Sequence, residues 1–420
     1  MSDPRTPFSP RGQEILEEVR RFAQAHLEPT EDRYERELLE VGPTGTPPVL
    51  DELRALALDR GLWNLFLPQL DPEAPGTPLS TLDYAPVSEI LGRYPHGPEA
   101  LNCNAPDTGN MEILAAFGSP TVKERYLAPL LAGEIRSAFS MTEPDVASSD
   151  PTGLTLTIRR EGDELVLNGR KWFSTGALLD RCAVLVVMGL SDPDAPPHRR
   201  HSMVVVPKDA PGVSFGAEPR IFGYHDRGGH PEILYRDVRV PMDHLLGGLG
   251  DGFAIAQARL GPGRVHHCMR TLGAAERALD LMVTRSLERR PFGASLAQRG
   301  QIQEWIAESR IEIDMARQYV LAVADQIDRL GAKAAATGIA GIKVVVPRIA
   351  LRVVDRAIQV HGAAGVTQFT PLARLYAHLR TLRIADGPDE VHLMTVARRE
   401  IRRHHPGFRL GVPQVPDHAP

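Results

Sequence analysis

Two long stretches without proline dominate the last part of this chain, Val265 to Glu288 and Gln301 to Val346. Proline breaks a helix interior because it lacks an N–H and its ring clashes with the preceding turn. Its absence over such lengths allows long helices. The second stretch is too long for one ordinary helix, and Gly331 and Gly338 offer breaks. Long helices in succession bury their apolar stripes against one another, which predicts a helical bundle over 251–405.

The rest of the chain has two other textures. Residues 1–138 read as helices broken by Pro/Gly loops. Ile15, Val19 and Phe22 lie at helical spacing, Leu53, Leu56 and Ala57 repeat the pattern, and Ser119-Pro120 reads as a cap and first turn. Residues 139–250 switch to short β-branched runs. Thr155 to Arg159 alternates, Gly162-Asp163 turns and Leu165 to Asn168 follows, which predicts a hairpin. Ala183 to Met188, Met203 to Val206 and Glu232 to Val240 are further strand candidates, and their spacing points to a small antiparallel barrel or sandwich. The fold class is α+β. Residues 406–420 are Pro-rich and read as an extended tail.

Bulk properties exclude several classes. With 420 residues and a net charge of −5, the chain is unsuited to nucleic acid or an anionic membrane as its main partner. Cys103, Cys182 and Cys268 are far apart and form no disulfide framework. The N-terminus lacks a secretory core, no apolar run reaches bilayer length and the C-terminus is no peroxisomal address, so a cytoplasmic location is expected. No dinucleotide fingerprint, P-loop, His-Glu-x-x-His or Gly-x-Ser-x-Gly occurs. His266 and His267 are adjacent, so on a helix they diverge and cannot chelate like an i, i+4 pair; no metal site is expected.

Four phrases carry chemistry. Ile384-Ala385-Asp386-Gly387-Pro388-Asp389-Glu390 puts a carboxylate on a Gly-Pro turn, a candidate general base, although Asp-Gly-Pro is also ordinary turn chemistry. The loop from Met141 to Asp150 is dense in hydroxyls and amides that suit a flavin or a pyrophosphate, and on its own it also reads as Asx and Ser turns. Trp172-Phe173-Ser174-Thr175 closes a strand with aromatics and hydroxyls; a buried aromatic cluster at a hairpin end is the plain alternative. Arg289 precedes Phe292-Gly293, and Gln359-Val360-His361-Gly362 lies downstream.

Together these phrases resemble the acyl-CoA dehydrogenase family of flavoenzymes, over nearly the whole chain. The resemblance implies that FAD is held by Met141, Thr142, Ser149, Phe173 and Thr175, with Arg289 and Phe292 reaching the pyrophosphate and adenosine of a neighbouring subunit. Gln359, His361, Gly362, Pro388 and Glu390 complete the same site. A site shared by two chains implies a homodimer or a dimer of dimers. Phe173 stands where the family commonly has Trp, and Gly300 where it often has Gln. Asp386 takes the place of a catalytic base that is Glu in most members, with roughly 1.5 Å less reach. The other position that relatives use for the base is Gly263 here, and Arg264 steadies the Asp386 loop or the thioester. The phrases around Asp107–Glu112, Gly261–Met269 and Ala385–Glu390 are similar to a long-chain branch found at the C-terminal end of kinase-like fusions.

The implied reaction is α,β-dehydrogenation of a fatty acyl-CoA to a trans-2-enoyl-CoA, as in fatty acid β-oxidation. Asp386 would take the α-proton, its pKa raised by burial, and electron-transferring flavoprotein would reoxidise the cofactor. The competing readings are an acyl-CoA oxidase or nitroalkane-oxidase-like enzyme on the same fold, and a non-enzymatic acyl-CoA-binding protein.

Overall fold

Ser9 caps the first helix: its hydroxyl accepts from the Gly12 N–H at 3.0 Å, and Pro10 fills the first helical position. In the computed structural model, which describes residues 7–406 and Phe408, this is α1 (Pro10–Phe22). Ile15, Val19 and Phe22 are buried, as their spacing predicts. The chain continues through α2 (Glu31–Val41), α3 (Pro48–Asp59), α4 (Thr81–Leu91), α5 (Gly97–Ala100), α6 (Asp107–Phe117), α7 (Pro120–Val122) and α8 (Ala128–Ala132). Leu53 and Ala57 of α3 are buried, whereas Leu56 is 38% exposed, so that stripe is narrower than its spacing implied. Ser119 caps α7 through the Val122 N–H at 3.1 Å. The expected tail at 406–420 lies outside the described residues apart from Pro406 and Phe408.

One sheet follows, built among the described residues from β1 (Arg136–Ser140), β2 (Thr157–Glu161), β3 (Glu164–Lys171), β4 (Cys182–Leu190), β5 (His201–Pro207), β6 (Val213–Phe215), β7 (Ile233–Pro241) and β8 (Leu245–Leu246). The order is β6-β7-β3-β2-β4-β5-β8, with β1 on β4. The β2–β3 hairpin turns at Gly162, φ 64°, as expected. The sheet is mixed, because β1 and the start of β2 run parallel to β4. β4 reads as a continuous apolar run because both of its faces are covered. Val184, Val186 and Met188 join the core of the N-terminal helices; Leu185 and Val187 join the core on the other face of the sheet.

The remaining helices are α9 (Gly252–Glu288), α10 (Gly300–Leu330), α11 (Ala336–His361), α12 (Leu372–Thr381) and α13 (Asp389–His404). α9 begins well before Val265 and runs through Gly261-Pro262-Gly263. Gly331, φ 81°, ends α10 as predicted. Gly338 is not a break: it lies inside α11, where a Cβ would come within 2.7 Å of Val323 on α10. α11 also continues through Pro347. α4 meets α9 backbone to backbone, since a Cβ on Gly273 would sit 1.9 Å from the Glu89 carbonyl. Among the described residues no helix is long and apolar enough to cross a membrane.

Buried ions mark the joint between the N-terminal helices and the sheet. Arg136 of β1 pairs with Asp107 of α6 at 2.7 Å and with Glu99 of α5 at 2.9 Å. Removing one partner of a buried pair costs about 3–5 kcal/mol because the other charge is stranded. Arg136→Met is therefore expected to lower the unfolding free energy read from a urea titration by about 3–5 kcal/mol, and an unchanged value would mean the cluster adds no net stability.

Glu112 on α6 has a buried Oε2 without a hydrogen-bond partner among the described residues. Burial pushes its carboxyl from the ordinary 4.5 up to about 8, against the opposing charge of Arg259. The folded chain thus keeps a proton that the unfolded chain releases. This group's contribution to stability falls as pH rises from about 4.5 to about 8. Glu112→Gln should gain stability relative to wild type across that window, in thermal unfolding at about pH 5 and about pH 8. A difference that stays flat between the two would refute this.

Candidate active site

The turn after α12 is pinned from several sides. The Thr381 carbonyl accepts from the Ile384 and Ala385 N–H groups, both at 2.8 Å. Asp386 then takes a left-handed conformation, φ 55°, and Gly387 follows at φ 101°. A side chain in that region costs on the order of 1–2 kcal/mol. Lys343 of α11, fully buried, donates to the Ala385 carbonyl at 2.9 Å and to that of Leu382. Asp389 is buried at the start of α13, with Arg383 at 2.8 Å and Arg348 at 2.9 Å on one of its oxygens. Asp386 is thus presented by a turn whose main chain is bonded to its neighbours.

α9 supplies the facing wall. Arg259, Gly263 and His267 follow at four-residue spacing, so they share one face, with Leu260, Arg264 and Arg270 beside them. His267 Nε2 lies 3.2 Å from Asp386 Oδ2. Arg264 Nε donates to the Asp386 carbonyl at 3.0 Å, and His392 Nε2 lies 3.2 Å from the same oxygen. Arg259 donates to Asn110 of α6 at 2.9 Å and sits 3.9 Å from the Phe139 ring centroid. A cleft between Pro106, Gly109, Arg259, Gly263, His267 and Asp386 opens here. Gly263 widens it, since a Cβ there would meet nothing within 4 Å.

The electrostatics correct the sequence reading. Burial does push the Asp386 carboxyl up, but the hydrogen bond from His267 and the charges of Arg259 and Lys343 outweigh it. Asp386 is held well below the usual carboxylate range, not raised. His267 enters the site as the hydrogen-bond partner of Asp386, a role its adjacency to His266 in sequence did not point to. Its neighbour His266 points elsewhere, packing on Tyr84 with ring centroids 4.8 Å apart. Among the described residues no cluster of His, Cys, Asp or Glu could hold a metal ion.

A second group gathers where β3 ends. Lys171 is fully buried, bonded to Glu143 at 2.8 Å and to the Met141 carbonyl at 2.7 Å. Glu143 also accepts from the N–H groups of Thr155 and Leu156 at 2.8 and 2.9 Å. This fixes the Met141–Thr142 loop. Thr142 donates its hydroxyl to the Trp172 carbonyl at 2.7 Å. Trp172 and Phe173 are exposed, 36% and 42%, their ring centroids 4.9 Å apart, with Phe173 at φ 51°. They are therefore not a buried cluster. Thr175 and Ser149 are exposed too.

Arg289, Phe292, Gln359, His361 and Gly362 do not join these groups on the same chain, whereas Pro388 and Glu390 continue the Asp386 turn. Arg289 and the 99%-exposed Phe292 follow the end of α9. Arg264 and Arg289 are separated along that helix by about 37 Å at the standard rise per residue. Gln359 is exposed on the last turn of α11, His361 bonds the Ala357 carbonyl at 2.8 Å, and Gly362 ends the helix at φ 64°. Pro388 caps α13, and Glu390 is exposed in its first turn.

Family models match in chain order: "Acyl-CoA dehydrogenase, N-terminal domain" over residues 9–134, the middle domain over 138–238 and the C-terminal domain over 250–401. A Mycobacterium tuberculosis protein named probable acyl-CoA dehydrogenase FadE2 is 53% identical over 394 residues, 93% of this chain and 95% of that protein. Acyl-CoA dehydrogenase family member 11 of Gallus gallus is 48% identical over 94% of this chain, which spans 51% of that longer protein. A solved structure described as a "putative acyl-CoA dehydrogenase from Mycobacterium abscessus" matches with a TM-score of 0.90 and 46% identity, over 95% of this chain and 100% of that one. The family's cofactor is FAD, which needs a flat apolar face, polar atoms at the ring edge and a cation for its pyrophosphate. The exposed Trp172 and Phe173, the exposed Thr175 hydroxyl and the exposed Arg289 fit that group. The chain belongs to the acyl-CoA dehydrogenase family, FAD-dependent oxidoreductases that dehydrogenate acyl-CoA.

Proposed function

We propose that Asp386 is the base that takes the α-proton of a fatty acyl-CoA thioester, giving a trans-2-enoyl-CoA. The observation that carries this is a carboxylate on a pinned turn, 3.2 Å from His267, at the wall of a cleft that α9 lines with cations. Bound FAD supplies the acceptor for the β-hydrogen as hydride. Arg264 holds the Asp386 carbonyl, and the Asp386 N–H is the donor assigned to the thioester oxygen, which gains charge as the proton leaves. A carboxylate held this low is a weak base. An occupant that displaces the His267 hydrogen bond and excludes water leaves burial less opposed, which raises the basicity of Asp386 once the cleft is filled.

The substrate is a long or branched acyl chain on the strength of the branch resemblance, and electron-transferring flavoprotein is the reoxidant. Arg289 and Phe292 stand out from the far end of α9, so they serve the cofactor of a second copy, with Gln359, His361 and Gly362 completing the site in a homodimer.

The test is anaerobic titration of FAD-loaded protein with acyl-CoAs of graded length, following the flavin band near about 450 nm. Bleaching with an optimum at long chains is expected; activity confined to butyryl-CoA would remove the chain-length assignment. Asp386→Asn should keep FAD but slow bleaching by about 10²–10⁴, and a wild-type rate would rule Asp386 out. His267→Ala removes a contact that holds the carboxyl down. The low-pH limb of kcat/KM should therefore move to higher pH, because ionised Asp386 is the active form. A limb that stays in place would show that His267 does not set this titration.

A further inference from the structure

Thr175 is not a free hydroxyl. Its Oγ1 lies 2.9 Å from His230 Nδ1, and His230 Nε2 lies 3.0 Å from Asp226 Oδ2. The three residues come from two segments zipped together along their main chains. The Gly176 N–H donates to the Gly229 carbonyl at 3.0 Å, and the Leu178 N–H to the Gly228 carbonyl at 3.1 Å. Gly228 sits at φ 77°, so close that a Cβ would come within 2.9 Å of the Gly176 Cα. From the other side the Pro43 carbonyl accepts from the Gly228 N–H at 2.7 Å, and Arg227 donates to the Gly45 carbonyl at 2.9 Å and pairs with Glu99. His230 is buried behind Phe173, with ring centroids 6.4 Å apart.

We propose that His230 and Asp226 are positioning residues that turn the Thr175 proton inward, so that this hydroxyl meets the flavin edge as a hydrogen-bond acceptor. The inference rests on the family placement of Thr175 beside the flavin ring. The argument is one of donors and acceptors. Burial pushes the Asp226 carboxyl up, but the hydrogen bond from His230, with the nearby His378 and Arg374 of α12, brings it below its ordinary value. An ionised carboxylate only accepts, so His230 Nε2 carries the ring proton. A ring that holds only that proton keeps a lone pair at Nδ1. Thr175 donates to it and leaves only lone pairs facing outward. This inverts the ordinary expectation that a hydroxyl here donates to the flavin.

The consequence is redox bias. The oxidised flavin edge offers a nitrogen that accepts; the reduced edge offers an N–H that donates. An acceptor at Thr175 favours the reduced form and raises the midpoint potential. Asn at position 226 can donate to Nε2, which moves the ring proton to Nδ1 and turns the Thr175 proton outward, the tautomer effect of an Asp-to-Asn change behind a histidine.

Two measurements test this. The first is ¹⁵N NMR of His230 in the flavin-free protein at neutral pH, which needs no cofactor and no variant. A neutral ring protonated at Nε2 is expected; a doubly protonated ring or an Nδ1–H tautomer overturns the proposal. The second is the midpoint potential of FAD-loaded wild type, Thr175→Val and Asp226→Asn, reduced chemically against a reference dye. Both variants should be more negative than wild type, Asp226→Asn at least as much as Thr175→Val. An Asp226→Asn potential equal to wild type, or a positive shift in either variant, overturns it. Neither measurement uses acyl-CoA. If the shifts appear but no acyl-CoA bleaches the wild type, the substrate assignment falls and this inference stands.

Discussion

Lys343 carries an ammonium into the interior of the helical bundle, and the partners it finds there are main-chain carbonyls, those of Leu382 and Ala385. An ammonium without partners in such a place costs several kcal/mol. The turn that carries Asp386 therefore cannot drift away from α11 without stranding that charge. Burial lowers the Lys343 pKa, which measures the cost, while Asp386 and Asp389 act in the opposite sense. The same ammonium helps keep the Asp386 carboxyl ionised. One interaction thus helps to place the Asp386 turn and adds to the charges that keep its carboxyl ionised.

The site sits where three bodies meet, and a charged side chain ties each joint. Arg136 links the sheet to α5 and α6, and Arg259 reaches from α9 to Asn110 of α6 and to Phe139 of β1; within the sheet, Lys171 and Glu143 lock the loop after β1 to the end of β3. Apolar side chains also cross these joints: Val184, Val186 and Met188 of β4 pack into the core of the N-terminal helices, and Ala85 of α4 into that of the bundle. Apolar packing is non-directional, so it draws the bodies together without dictating their register. A guanidinium whose contacts are fixed in distance and direction admits few alternative placements. The cleft lies between these contacts, and its walls inherit their accuracy.

How much was legible in the sequence follows the range of the interactions. The β2–β3 hairpin, the Ser119 cap and the break at Gly331 depend on neighbours a few residues away and were readable. Gly338 looked like a break because its reason for being glycine, the Val323 side chain on α10, is remote in sequence. The onset of helix near Asp251 was readable too, and α9 begins at Gly252. The facing of Arg259, Gly263 and His267 toward Asp386 was not, because it depends on the turn after α12, far away in sequence. Arg264 and Asp386 are 122 residues apart, and no local pattern joins them. The sign of the Asp386 shift was missed for the same reason: burial can be guessed from composition, but the cations opposing it come from other helices.

An aspartate base raises the question of reach. It is shorter than glutamate by roughly 1.5 Å, and a loop could in principle recover that by moving inward. Here Lys343, Arg264 and the paired arginines on Asp389 hold the turn at its main chain, and the left-handed Asp386 leaves little conformational slack. The opposite wall is where room exists. α9 has no side chain at Gly263, and the space a Cβ would take is empty within 4 Å. A glutamate at 263 would enter that space and bring a second carboxylate toward the first. Two carboxylates so close cannot both ionise freely. If Asp386 is the base, as proposed, the short carboxylate at 386 and the missing side chain at 263 belong to one arrangement, in which the ligand side of the cleft comes to Asp386.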